Sequence, residues 1–184
     1  MGISVCVFCS SSTSVAEEFL LEARTLGAAL ADRGHTLIFG GGNVGLMGEM
    51  ARASLARGGR VVGVIPKMLV ERKLALRTAT ELIVTADMHE RKATMARRAD
   101  AFIALPGGFG TFEEIAEAIA FRQLDLHAKP CVLVNTNDYY APLIEQFERA
   151  FRLHFAREAH RRTYAVARSA LEALELVERE IRGG

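Results

Sequence analysis

Cysteine, long apolar runs and surplus charge are all scarce in this chain, and each scarcity closes off a class of protein. The three cysteines, Cys6, Cys9 and Cys131, lie in apolar surroundings. They are too few for a disulfide scaffold and suit a reducing compartment. Cys6 and Cys9 have the C-x-x-C spacing of metal and redox sites, but they fall in a segment that reads as a strand. Residues three apart on a strand point to opposite faces and cannot share a ligand. No stretch approaches the roughly 18 apolar residues of a membrane span, and no basic segment followed by an apolar stretch and a cleavage site opens the chain. A cytoplasmic protein with no membrane partner is expected. The formal charge of +1, with arginines scattered apart from a short Arg161-Arg162 cluster, supplies no field for a nucleic-acid polymer. His35, His89, His127, His154 and His160 show no i, i+4 pairing, so no metal is expected either.

What is present is a chain of 184 residues, half of them hydrophobic, which is enough to bury a core as one domain spanning residues 1–184. Short β-branched runs at 5–9, 36–39, 60–65, 81–85, 101–105 and 131–134, with a weaker one at 164–166, read as strands. Helical patterns alternate with them at 15–33, 46–57, 88–99, 112–123, 140–155 and 170–181. Alternation of this kind predicts an α/β fold: a Rossmann-like, doubly wound, mainly parallel sheet with helices on both faces. No repeat, low-complexity tract or linker interrupts it. The long irregular stretch at 66–80, which carries Lys67, Glu71, Arg72, Lys73 and Arg77, is expected to border a site.

Two glycine-rich segments follow strands and open helices: Gly40-Gly41-Gly42-Asn43-Val44-Gly45-Leu46-Met47-Gly48 and Pro106-Gly107-Gly108-Phe109-Gly110-Thr111-Phe112-Glu113-Glu114. Glycine allows tight turns and close approach of backbone to ligand, and free N–H groups at a helix start favour an anion. Both are therefore candidate phosphate cradles, with tight turning as the alternative reading of Gly41, Gly42 and Gly45. The first segment matches G-x-G-x-x-G, yet a dinucleotide site would also carry a carboxylate about 20 positions on, at the end of the next strand. That strand ends Val64-Ile65-Pro66. A bound nicotinamide cofactor is not expected.

Some charged residues stand where apolar ones would be usual. Thr111 and Glu114 have the spacing of a capping box, but Glu114 also shares a helix face with Ala118 and Phe121, while Phe112, Ile115, Ala116 and Ile119 form the expected core face. A carboxylate beside an aromatic and a phosphate-ready loop is a catalytic candidate. Asp87 and Glu90 form a second capping pattern, opening a helix whose core stripe is expected to be Met88, Met95 and Ala99. Arg91 and Lys92 flank that stripe, and two cations at a buried face call for an anionic substrate or for Glu114, unless their stems snorkel to water.

Three stretches, Gly40 to Gly48, Met88-His89-Glu90-Arg91-Lys92 and Pro106 to Glu114, together resemble the LOG (Lonely Guy) family of cytokinin riboside 5′-monophosphate phosphoribohydrolases, often labelled lysine decarboxylases. The resemblance runs from the first strand to about Tyr140 and implies hydrolysis of the N-glycosidic bond of a purine nucleoside 5′-monophosphate, without a cofactor. It implies Arg91 and Glu114 as the catalytic pair. Lys92 and the loop Gly107, Gly108, Phe109, Gly110, Thr111, Phe112 and Glu113 would hold the nucleotide, with Gly41, Gly42, Gly45 and Met88 nearby. It also implies a homodimer, which the apolar residues on two faces of the 112–123 helix suit. The chain departs from the family with Lys73 in place of a glutamate, Phe121 in place of a tryptophan, and Ser10-Ser11-Ser12 where a glycine is usual. A non-catalytic nucleotide or molybdenum-cofactor carrier is the alternative, since such carriers resemble this fold; intact Glu114 and Arg91 favour the enzyme. A pyridoxal-phosphate decarboxylase would need a Schiff-base lysine, and Lys67, Lys73, Lys92 and Lys129 lack a recognisable setting for one.

Overall fold

Every apolar run that reads as a strand pairs in one sheet. The structure, a computed structural model, describes residues 2–183. In chain order the elements are β1 (Ser4–Phe8), α1 (Glu17–Asp32), β2 (Thr36–Phe39), α2 (Gly45–Ala56), β3 (Arg60–Pro66), α3 (Lys67–Glu71), β4 (Glu81–Thr85) and α4 (Met88–Arg98). They continue with β5 (Ala101–Ala104), α5 (Phe109–Gln123), β6 (Cys131–Val134), α6 (Ala141–Arg152), β7 (Ala165–Ala167) and α7 (Ala170–Gly183). The seven strands run in the order β4-β3-β2-β1-β5-β6-β7, and each neighbouring pair is parallel. The sheet is thus wholly parallel, and an isolated bridge between Gly42 and Ala75 is antiparallel.

The winding reverses between β1 and β5, so the crevice beyond their carboxyl ends is the place where such sheets take ligands. Alternation along β1 sends Val5 and Val7 into a core with α1, α2 and α7, and Cys6 and Phe8 into a core with α4, α5 and α6. Cys6 and Cys9 lie in different cores, on opposite sides of the sheet, as strand geometry requires.

Four boundaries differ from expectation. The stretch at 66–80 is not wholly irregular, because Lys67–Glu71 forms one helical turn. That turn ends in a Schellman-type stop, with Lys73 N–H donating to Val70 O and Leu74 N–H to Leu69 O. α6 stops at Arg152 because His154 takes a left-handed conformation, φ 61°. α1 begins at Glu17, two residues later than the pattern indicates. α5 begins at Phe109, with Gly108 in extended conformation as its N-cap.

Candidate active site

The early start of α5 changes the role of its acidic residues. With Gly108 at the N-cap, Thr111 lies inside the first turn and no side chain caps the helix, so the capping-box alternative for Thr111 and Glu114 does not form. The other reading of Glu114 holds: the inward face of α5 is Thr111, Glu114, Ile115 and Ala118, while Ala116, expected in the core, is exposed. Glu114 is 7 % exposed and points towards α4.

On α4 the expected capping is present: Asp87 accepts from Glu90 N–H at 2.8 Å, and Glu90 accepts from Ala86 N–H at 2.7 Å. Met88 is exposed, because the first residue of a helix stands at its open end, and Arg91 takes its place in the buried stripe with Met95 and Ala99. Arg91, 5 % exposed, spends its guanidinium in a defined way. Nε donates to Val64 O of β3 at 3.0 Å and Nη1 donates to Glu114 Oε1 at 2.8 Å. Nη2 lies against Gly40, where a Cβ would come within 1.9 Å of it. Gly40 is therefore required by the arginine, not by a turn.

This pair leaves two polar atoms unspent. Among the described residues nothing hydrogen-bonds Arg91 Nη2 or Glu114 Oε2, although both groups are nearly out of solvent. Burial raises the pKa of Glu114, and its contact with Arg91 opposes but does not cancel that rise. A carboxylate held by one oxygen, with the other free and a shifted proton affinity, is suited to accept a proton or face a developing cation.

Lys92 has a different fate. Its ammonium is shared by Glu113 and by Glu117, the latter at 2.9 Å, and these contacts raise its pKa, Glu113 first. Lys92 and Glu113, both candidates for holding substrate, thus hold one another. Lys92, Glu114, Glu117, Ala118 and Phe121 border a cleft of about 30 Å³ floored by Phe8 and Phe102, room for about one water. Glu114, Ala118 and Phe121 do share a face, as the spacing indicates.

The two glycine loops separate on one physical criterion. In the first, Gly41 and Gly45 have φ of 74° and 59°, and Cβ atoms there would strike Ile65 at 2.8 Å and Ser11 at 2.5 Å. At Gly42 a Cβ would stand 3.3 Å from Met47 Sδ. Packing inside the protein accounts for Gly41 and Gly45. The segment after α3 is zipped onto this loop, with Asn43 N–H donating to Leu74 O and Leu76 N–H to Gly41 O. In the second loop, a Cβ on Gly107 would strike Thr111, but Cβ atoms on Gly108 or Gly110 would meet nothing within 4 Å. Both have ordinary negative φ, so nothing within the chain demands glycine there. Phe109 between them is 91 % exposed. The first-turn amides of Phe109, Gly110 and Thr111 have no acceptor among the described residues.

Comparison with known proteins fits this arrangement. A family profile described as possible lysine decarboxylase matches residues 47–177. A probable cytokinin riboside 5′-monophosphate phosphoribohydrolase of Oryza sativa subsp. japonica is 44 % identical over 95 % of this chain and 71 % of its own length. A cytokinin riboside 5′-monophosphate phosphoribohydrolase of Arabidopsis thaliana is 42 % identical over 95 % of this chain and 76 % of its own. The chain belongs to the LOG family. Among solved structures, the molybdenum-cofactor carrier protein of Chlamydomonas reinhardtii has a TM-score of 0.75 at 24 % identity over 100 % of both chains. The molybdenum cofactor binding protein of Rippkaea orientalis scores 0.76 at 23 % over 98 % of both. At that identity the likeness shows a shared fold.

The profile's description as a possible lysine decarboxylase finds no support in the lysines. A Schiff-base lysine must be deprotonated to react, and two carboxylates push Lys92 the other way. Lys129 donates to Ala96 O at 2.7 Å, and Lys67 and Lys73 stand exposed. Two features of this LOG-family site escape sequence reasoning. Val64 anchors Arg91 through a main-chain carbonyl, which leaves no trace in residue type. Tyr139 and Tyr140, just before α6, hydrogen-bond Gly107 in the second loop and Leu105 before it, contacts across 32 and 35 residues that no local pattern carries.

Proposed function

We propose that this protein hydrolyses the N-glycosidic bond of a purine nucleoside 5′-monophosphate, releasing free base and ribose 5-phosphate. The observation that carries the reading is the buried Arg91–Glu114 pair, with Glu114 Oε2 and Arg91 Nη2 unspent, beside a helix start whose amides are also unspent. The names of the relatives, which specify this activity on cytokinin riboside 5′-monophosphates, support it.

Breaking the bond between the base and ribose C1′ builds positive charge on the sugar, as in other oxocarbenium-like glycoside reactions. Glu114 is assigned to that charge and to the proton of the attacking water. Its buried setting strengthens the electrostatic effect, since little solvent competes. Arg91 fixes the carboxylate through Oε1 and keeps Nη2 for a ribose or water oxygen. The amides of Phe109, Gly110 and Thr111, at the positive end of the α5 dipole, are assigned to the 5′-phosphate. Phe109, exposed at the same place, can cover the nucleotide. Lys92 acts through Glu113 and Glu117, and no organic cofactor or metal enters the scheme.

The substrate base is assigned at the level of purine. Lys73, where the resemblance implies a glutamate, donates but cannot accept hydrogen bonds, so a preference for an N6-prenylated adenine is not carried over to this chain. A cytoplasmic homodimer completes the reading. Among the described residues no helix is long and apolar enough to cross a membrane. The outward side of α5 leaves Ala116 and Ala120 uncovered, and Leu124 and Leu126 just beyond it are 63 % and 66 % exposed. The test is chromatographic measurement of free base and ribose 5-phosphate released from AMP and N6-isopentenyladenosine monophosphate, beside the matching nucleosides. Release from nucleotides and little from nucleosides supports the reading. Tight nucleotide binding without release would replace it with a carrier.

A further inference from the structure

We infer that Tyr139 is a positioning residue that sets the direction of one phosphate-binding amide, a role resting on the reading just given. Tyr139 donates its hydroxyl to Gly107 O at 2.5 Å. A trans peptide is planar, with its C=O and N–H pointing opposite ways, so holding Gly107 C=O towards Tyr139 turns Gly108 N–H away from it. No group among the described residues accepts from Gly108 N–H, and it adjoins the free amides at the start of α5. A Gly–Gly peptide is the one most free to flip, because neither side chain restrains the flanking dihedrals. Flipped, it would present a carbonyl oxygen where an anion needs a donor. The tyrosine hydroxyl opposes that flip from behind.

The surroundings of Tyr139 look built for the task. Its ring packs edge-on to Phe19 of α1 and stacks at 6.4 Å with Phe112 of α5, so it bridges the two helices. The approach to it is held by Asn137 and Asp138, both left-handed with φ of 51° and 57°, and by Asn135, whose Oδ1 accepts from Tyr140 N–H at 2.7 Å.

Tyr140 provides the internal comparison. Its buried hydroxyl donates to Leu105 O at 2.7 Å, one residue before the same loop. The Leu105–Pro106 peptide carries no N–H, so this bond orients no donor and is expected to matter for stability alone.

The experiment compares the parent, Tyr139→Phe and Tyr140→Phe on three readouts: steady-state constants for AMP, kcat/KM for adenosine, and the dissociation constant of ribose 5-phosphate by calorimetry. For Tyr139→Phe, KM for AMP and the dissociation constant of ribose 5-phosphate are each expected to rise about fivefold to tenfold. In that variant kcat and the adenosine value stay near the parent's. Tyr140→Phe should lower the melting temperature and leave ribose 5-phosphate binding unchanged. The inference is overturned if Tyr139→Phe binds ribose 5-phosphate as the parent does, if AMP and adenosine suffer equally, if both variants weaken binding alike, or if the parent does not bind it. Absence of base release by the parent would instead remove the hydrolase reading, and the calorimetry still decides the role of Tyr139.

Discussion

At Glu114 two effects compete, and their balance sets how the site responds to pH. Burial disfavours the carboxylate and Arg91 favours it; burial wins, so Glu114 titrates above the 4.5 of an ordinary glutamate. A raised folded-state pKa means that the folded chain holds this proton more tightly than the unfolded one. Its stabilising contribution is therefore complete at pH below about 4.5 and is lost as pH rises through the raised value. We expect the acid limb of kcat/KM to lie above 4.5 for the same reason, because the reactive form is the carboxylate. Across that window, the melting temperature of Glu114→Gln should gain on that of the parent as pH increases. Arg91→Ala is a different perturbation. It strands a buried carboxylate and is expected to cost about 3–5 kcal/mol in denaturant unfolding, with Glu114 pushed further up. Gly40→Ala forces a methyl group into Arg91 Nη2 and should impair activity without touching substrate. The pair itself was only half legible in the sequence. Arg91 and Glu114 look out of place on their helices, but their meeting across 23 residues, and the part played by Gly40, depend on how β3, α4 and α5 pack.

Helix starts and stops carry the second group of expectations. At Gly110, inside the first turn of α5 and with open space around its missing Cβ, alanine fits the fold better than glycine. Gly110→Ala should leave stability unchanged or raise it by up to about 1 kcal/mol. If a phosphate approaches these amides, the same substitution should raise KM for nucleotides, a divergence of stability and activity that packing alone does not produce. Lys73 shows the reverse case. It holds the left-handed position of a Schellman stop, φ 60°, which glycine occupies more easily. Lys73→Gly is expected to stabilise by about 0.5–1 kcal/mol in denaturant titrations. These details set the limit of what periodicity reveals. β-Branched runs between helical patterns located all seven strands, whereas Gly108-Phe109-Gly110 carries no apolar period to mark the opening of α5, and the single turn of α3 is too short to leave one. That boundary also decides against the capping-box alternative at Thr111 and Glu114, since Gly108 is the N-cap.

On the scale of the whole molecule, the order β4-β3-β2-β1-β5-β6-β7 brings distant segments to one crevice. Ser10, just beyond β1, donates to Pro106 O at 3.3 Å and accepts from Met47 N–H at 3.3 Å, so it joins the two glycine loops. This link uses the main chain of Ser10, so it does not depend on the side chain there. The alternation of elements made the doubly wound fold legible, and the switch point then follows from the winding. The proposed dimer belongs to this scale as well: light scattering after size exclusion should give twice the chain mass, and Ala116→Arg, on the exposed side of α5, should lower it. The most direct test of the proposed chemistry is release of base and ribose 5-phosphate from AMP and N6-isopentenyladenosine monophosphate by the parent and by Glu114→Gln. We expect phosphate-dependent release by the parent and none by a folded Glu114→Gln variant. Equal release by both, or release from nucleosides as readily as from nucleotides, would contradict it.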